Sequence, residues 1–146
     1  MKFRPVILAA ALALPSVAAA ADPIATRQAL MDSLAGAVGL AAGVQKGEIA
    51  YAPAVGKAAL TAAAATALAV GDFFPEGSDT GETKASPRIW EDRAGFEADL
   101  AKFQEAAAAG VAGAGKDGPA DAAAFVELMK PVMGTCKTCH ESFRLK

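Results

Sequence analysis

From residue 22 onward, stretches with apolar residues at three- and four-residue steps alternate with short breaks rich in glycine, proline and acidic residues. Leu30, Met31, Leu34, Val38, Ala41 and Val44 recur on one helical face. Asp22-Pro23 stands ahead of them as an N-cap followed by proline at the first helical position, so a first helix is predicted from there to Lys46-Gly47. A second is predicted from Pro53, through Val55, Leu60 and an alanine-rich segment, to Val70, with Gly71-Asp72 as its stop. Phe73 to Pro87 breaks the pattern with turn-forming and polar residues and reads as the longest loop, its two phenylalanines apolar enough to pack inward. Ser86-Pro87 then opens a third helix, on which Ile89, Phe96 and Phe103 fall seven apart with Trp90 and Leu100 beside them. A glycine-rich stretch, Gly110 to Gly118, is predicted to separate it from a fourth helix beginning at Pro119 to Asp121. There Phe125, Leu128, Met129, Val132 and Met133 lead on one period to Phe143. Pro131 lies inside this last segment and removes a backbone hydrogen bond, so it either bends the helix or splits it in two.

Four helices with connecting breaks of this kind predict an all-α fold, an antiparallel up-down-up-down four-helix bundle. The abundance of alanine and the scarcity of aromatic and β-branched residues point the same way. Before the first helix, Lys2 and Arg4, the apolar run Val6 to Leu14 and the small residues Ala18 to Ala21 read as a secretory signal peptide, residues 1–21, cleaved just before Ala21 or Asp22. Residues 22–146 are then one domain with one core. Of 14 basic residues the signal takes Lys2 and Arg4, leaving 12 against 16 acidic ones, and a mildly acidic domain argues against a nucleic-acid partner. No membrane span is expected after the signal, and the expected location is the periplasm.

The chemistry concentrates in Cys136-Lys137-Thr138-Cys139-His140, a CxxCH stretch that holds both cysteines and the single histidine. This is the attachment pattern of a c-type haem. Two thiols add across the two vinyl groups of one macrocycle, and the adjacent imidazole reaches the iron as an axial ligand. On a helix, positions 136, 139 and 140 are related as i, i+3 and i+4 and share a face. Three alternatives compete: a structural zinc site, a thioredoxin-like dithiol and a plain disulfide. Zinc lacks a second pair of ligands here, a redox dithiol is expected after a strand at a helix start, and a disulfide leaves His140 without a role. No nucleophile motif or second cluster of metal ligands suggests an enzyme. With so many alanines facing inward, a bundle of this sequence calls for one haem to fill it, and its apoprotein is expected to be loosely packed.

The chain resembles the class II c-type cytochromes, that is, cytochrome c′ and its low-spin homologues. The resemblance rests on a CxxCH near the C-terminal end followed by Phe143-Arg144. It rests also on Arg27-Gln28 in the first helix, on Lys46-Gly47-Glu48, on Phe74-Pro75 and on Pro87-Arg88-Ile89-Trp90. Cytochrome c′ is itself a reference example of the up-down bundle. The resemblance implies covalent haem on Cys136 and Cys139 and His140 as proximal ligand. It implies too that Arg27 and Gln28 lie near the haem propionates and edge, and that Arg144 is the basic residue near the proximal histidine. Trp90 and Phe96 suit a core role on their spacing.

Of the four methionines, Met1 leaves with the signal, and Met129 and Met133 share a helix with the attachment motif, which places them on or beside the proximal side. Met31 remains, four residues after Arg27, where the family places its distal residue. As a ligand it makes a low-spin His/Met iron suited to electron transfer, and as a flexible core side chain it leaves a five-coordinate iron open to nitric oxide or carbon monoxide. The expected function is a periplasmic one-electron carrier serving redox partner proteins; the alternative is a gas-binding haem protein. The family often forms homodimers through the first two helices, where Ala35, Gly36, Gly39, Ala42 and Gly43 permit close packing.

Overall fold

The computed structural model describes residues 22–146, so the signal-peptide reading of residues 1–21 lies outside the described residues. Four long helices form the molecule: α1 (Pro23–Gln45), α2 (Pro53–Ala69), α4 (Arg93–Ala114) and α5 (Ala122–Phe143), with one short helix, α3 (Arg88–Glu91), before α4. The α1 start is as predicted, with the Asp22 carboxylate accepting hydrogen bonds from the Ile24 and Ala25 amides at 2.9 and 3.4 Å ahead of Pro23. Gly47, at φ +74°, takes the left-handed conformation that turns the chain out of α1.

α1 packs against α2 and α5, and α4 packs against the same two, so α1 and α4 occupy opposite corners of the bundle. One core cluster unites Ala37, Ala41, Val44, Ala59, Leu60, Phe125 and Met129, and a second unites Leu34, Ala63, Ala67, Phe103, Ala107 and Val132. Alanine supplies much of both, which lets backbones approach closely at modest hydrophobic gain per residue. Pro53–Phe73 is long and apolar enough to cross a bilayer, at mean hydropathy 1.5. Here it forms one wall of the bundle, burying Ala59, Leu60, Ala63, Thr66 and Ala67 against its neighbours.

Two boundaries differ from expectation, and one open alternative is resolved. The predicted third helix is two: Asp92 leaves helical geometry (φ −125°, ψ 60°) and caps α4 by accepting from the Gly95 amide at 3.1 Å. The predicted break at Gly110 is instead helix interior, and α4 runs on to Ala114. The reason is close packing: a Cβ at Gly110 would stand 3.0 Å from Leu60 Cδ2 and 3.3 Å from the Leu128 carbonyl oxygen. Finally, α5 passes Pro131 without splitting, which removes the two-helix alternative. Pro131 faces solvent, where water can satisfy the carbonyl that loses its helical partner.

Candidate haem site

Because α5 is continuous, Cys136, Cys139 and His140 project from one face, and all three border a cavity of about 590 Å³. That volume falls within the range of roughly 300–1,000 Å³ typical of small-molecule and cofactor sites. Met31 and Leu34 line it from α1, and Phe96, Leu100 and Phe103 from α4. The segment after α2 closes another side through Phe74, Thr83, Lys84 and Ala85. The cavity thus lies between α1 and α4, with Phe96 and Phe103 on its α4 side.

The thiols are poorly suited to redox exchange. Burial pushes the Cys136 thiol up against the smaller lowering effect of its own backbone amide, and the thiol donates weakly to the Val132 carbonyl oxygen at 3.7 Å, which also favours the protonated form. Burial, reinforced by Asp99 and by Cys136, pushes Cys139 up to about 11. Reactive dithiols require the reverse. Both cysteines are free, so no disulfide joins them. Among the described residues no cluster of three or more His, Cys, Asp or Glu side chains offers a metal cage, which leaves zinc without a ligand set. Burial, with Arg144 adding to it, lowers the His140 pKa and keeps the imidazole neutral, the form that binds a metal. An apolar cavity with two thiols and a neutral imidazole on one wall and one thioether on another fits a c-type haem.

Each residue singled out in the sequence can now be placed. Met31 borders the cavity from α1, half-buried. Met129 is fully buried in the core with Phe125 and Leu60, Met133 packs against that cluster, and neither reaches the cavity. Gln28 borders the cavity and its amide donates to the Glu82 carbonyl oxygen at 2.7 Å. Arg27 also borders it, but its guanidinium is occupied elsewhere. Nη1 donates to the Phe73 carbonyl oxygen (3.1 Å) and Ser78 Oγ (3.0 Å), and Nη2 to the Ser78 carbonyl oxygen (2.6 Å) and Thr83 Oγ1 (2.7 Å). It also lies 4.8 Å from the centre of the Phe74 ring. Arg144 flanks His140 at the cavity edge. Phe96 is buried against Phe143 and Ile89, and the half-buried Trp90 donates its indole N–H to the Pro75 carbonyl oxygen at 3.1 Å. Phe143 borders the cavity too, and so does Lys84, which escaped the sequence reading. Lys84 sits in a stretch without periodicity, and an antiparallel bridge between Ala85 and Arg144 brings it there.

The profile of the family described as Cytochrome C′ matches residues 22–144. A protein named cytochrome c-556 from Agrobacterium fabrum is 38% identical over 127 residues, 87% of this chain and 84% of that one. The structure titled cytochrome c′ from Rhodopseudomonas palustris has a TM-score of 0.75 at 36% identity, covering 86% of this chain and 97% of that one. A nitric oxide complex of a mutant cytochrome c prime from Alcaligenes xylosoxidans has a TM-score of 0.72 at 27% identity, covering 86% and 98%. Haem c is accordingly the cofactor, carried by Cys136 and Cys139, and this chain belongs to the cytochrome c′ family.

Proposed function

We propose that this protein is a periplasmic one-electron carrier whose iron is held between His140 and Met31. The observation that carries the reading is the position of Met31: among the described residues it is the single thioether bordering the cavity that His140 also borders. Bound haem supplies a one-electron ferric–ferrous couple, and His/Met ligation raises its potential. The chain's own residues do the rest. Cys136 and Cys139 would tether the macrocycle to α5, and the His140 imidazole would serve as a ligand to its iron. Phe96, Leu100 and Phe103 present apolar surface to the site, which lowers the local dielectric and disfavours the more highly charged oxidation state.

The second reading is a five-coordinate iron that binds small gases. It is favoured by the apolar α1 wall, where Met31 is unbranched and flexible and buried Leu34 lies three residues further along the cavity. The relative solved with nitric oxide supports it as well. The visible and far-red absorption spectrum, ferric and ferrous, with and without carbon monoxide, separates the two. A carrier gives sharp ferrous bands, a weak far-red sulfur-to-iron band and no prompt response to carbon monoxide. A high-spin spectrum that shifts at once on adding the gas makes gas binding the function.

A further inference from the structure

Residues 74–87, which lack helix, form a strap with both ends fastened to cavity walls. At the α1 end the fastening is Arg27, only 4% exposed, whose four hydrogen bonds reach Phe73, Ser78 and Thr83, with Gln28 adding a bond to Glu82. At the α5 end the Ser86 amide donates to the Phe143 carbonyl oxygen at 3.0 Å, and the Leu145 amide donates to Lys84 at 2.8 Å. The strap therefore ties the wall that carries Met31 to the wall that carries His140, while Phe74, Thr83, Lys84 and Ala85 border the space between. Arg27 lies one helical turn before Met31 on the same face.

We propose that Arg27 is a positioning residue: by clamping the strap to α1 it holds the Met31 wall at a set distance from the His140 wall. A cation so deeply buried is costly unless its donors are matched, and here all four acceptors belong to the strap or to Phe73, the residue just before it. Removing the clamp frees α1 to move away from α5, lengthening or breaking a Met31–iron bond and loosening the strap at its far end. The first of these effects rests on the ligand reading given above; the second does not.

Ser78 makes the decisive probe. It is buried at 6% exposure and accepts from Arg27, yet it does not border the cavity. A Ser78→Ala change thus weakens the clamp without touching the haem surroundings, and it spares the charge whose loss in Arg27→Met threatens folding. In the haem-loaded protein, Ser78→Ala and Arg27→Lys are expected to speed amide hydrogen exchange at Ser86 and Leu145 by about three- to tenfold, the effect of one net hydrogen bond. Carbon monoxide association should accelerate by a similar factor as the far-red band weakens. If the wild type lacks that band, the ligand reading falls, and the clamp is judged by hydrogen exchange alone. Should Arg27→Lys alter the spectrum while Ser78→Ala leaves both exchange and spectrum unchanged, Arg27 acts directly on the haem carboxylates and the clamp is overturned.

Discussion

Gly118 crosses the start of α2 so closely that a Cβ built on it would stand 2.7 Å from the Pro53 carbonyl carbon, and nearer still to its oxygen. Its φ of +93° lies where L-residues are strained. Both penalties fall on backbone that cannot step aside. Gly118→Ala should therefore destabilise the haem-loaded protein by about 2–5 kcal/mol, combining the left-handed cost with overpacking. Urea unfolding followed at the Soret band measures it, and a loss below about 0.5 kcal/mol would show that the α4–α5 turn relaxes freely.

Tyr51 gives the molecule an alkaline dependence. Its ring stacks on Phe125 with centroids 5.7 Å apart, and its hydroxyl donates to the Pro119 carbonyl oxygen at 2.5 Å. Burial first, and Asp121 second, push its pKa above the usual value. A folded-state pKa raised above the unfolded value means a contribution fully present below about pH 10 and lost as the pH climbs through the folded pKa. Tyr51→Phe should cost about 0.5–1.5 kcal/mol at pH 7, and the gap from wild type should close above pH 10. A gap that stays constant to pH 11 would exclude this coupling.

Replacing Met31 by leucine keeps the volume and removes the sulfur. The expected result is loss of the far-red band, a high-spin ferrous spectrum and rapid carbon monoxide binding, with little change in stability because Leu and Met exchange at below about 1.5 kcal/mol. A variant whose spectrum matches the wild type would sink Met31 as ligand.

Removing the haem should dissolve the fixed packing around it. A space of about 590 Å³ lined largely by apolar side chains leaves its walls without packing partners once the haem is gone. A domain whose whole stability is about 5–15 kcal/mol has little margin for such a loss. A Cys136→Ala, Cys139→Ala chain lacking haem should keep helical far-ultraviolet dichroism and lose its near-ultraviolet signal. Retained near-ultraviolet dichroism would show that the helices collapse into the space.

The parts legible in the sequence were those set by neighbours a few positions away. Asp22-Pro23 announces α1 because a cap acts on the next three amides, and CxxCH shares a face because α5 repeats every 3.6 residues. What escaped depends on partners far along the chain. Gly110 reads as a breaker until Leu60 and Leu128 are seen pressing on it, and then its missing side chain is what allows α4 to continue. The hydrogen bonds of Arg27 to Ser78 and Thr83, more than fifty residues away, have no signal in its helical spacing. Asp92 interrupts a sound apolar stripe because its carboxylate can cap Gly95, a competition that periodicity does not register.

On the periplasmic reading proposed above, the alanines at 59, 63 and 67, buried along α2, bear also on how such a segment would cross a membrane. Pro53–Phe73 already has the length of a span. Leucine at those three positions would add apolar surface, and leucine favours lodging in a bilayer where alanine contributes little. A chain passing through a translocation channel with that change would risk arrest as a stop-transfer helix. On that reading, the small side chains that let this bundle close tightly would also keep its most apolar helix in transit.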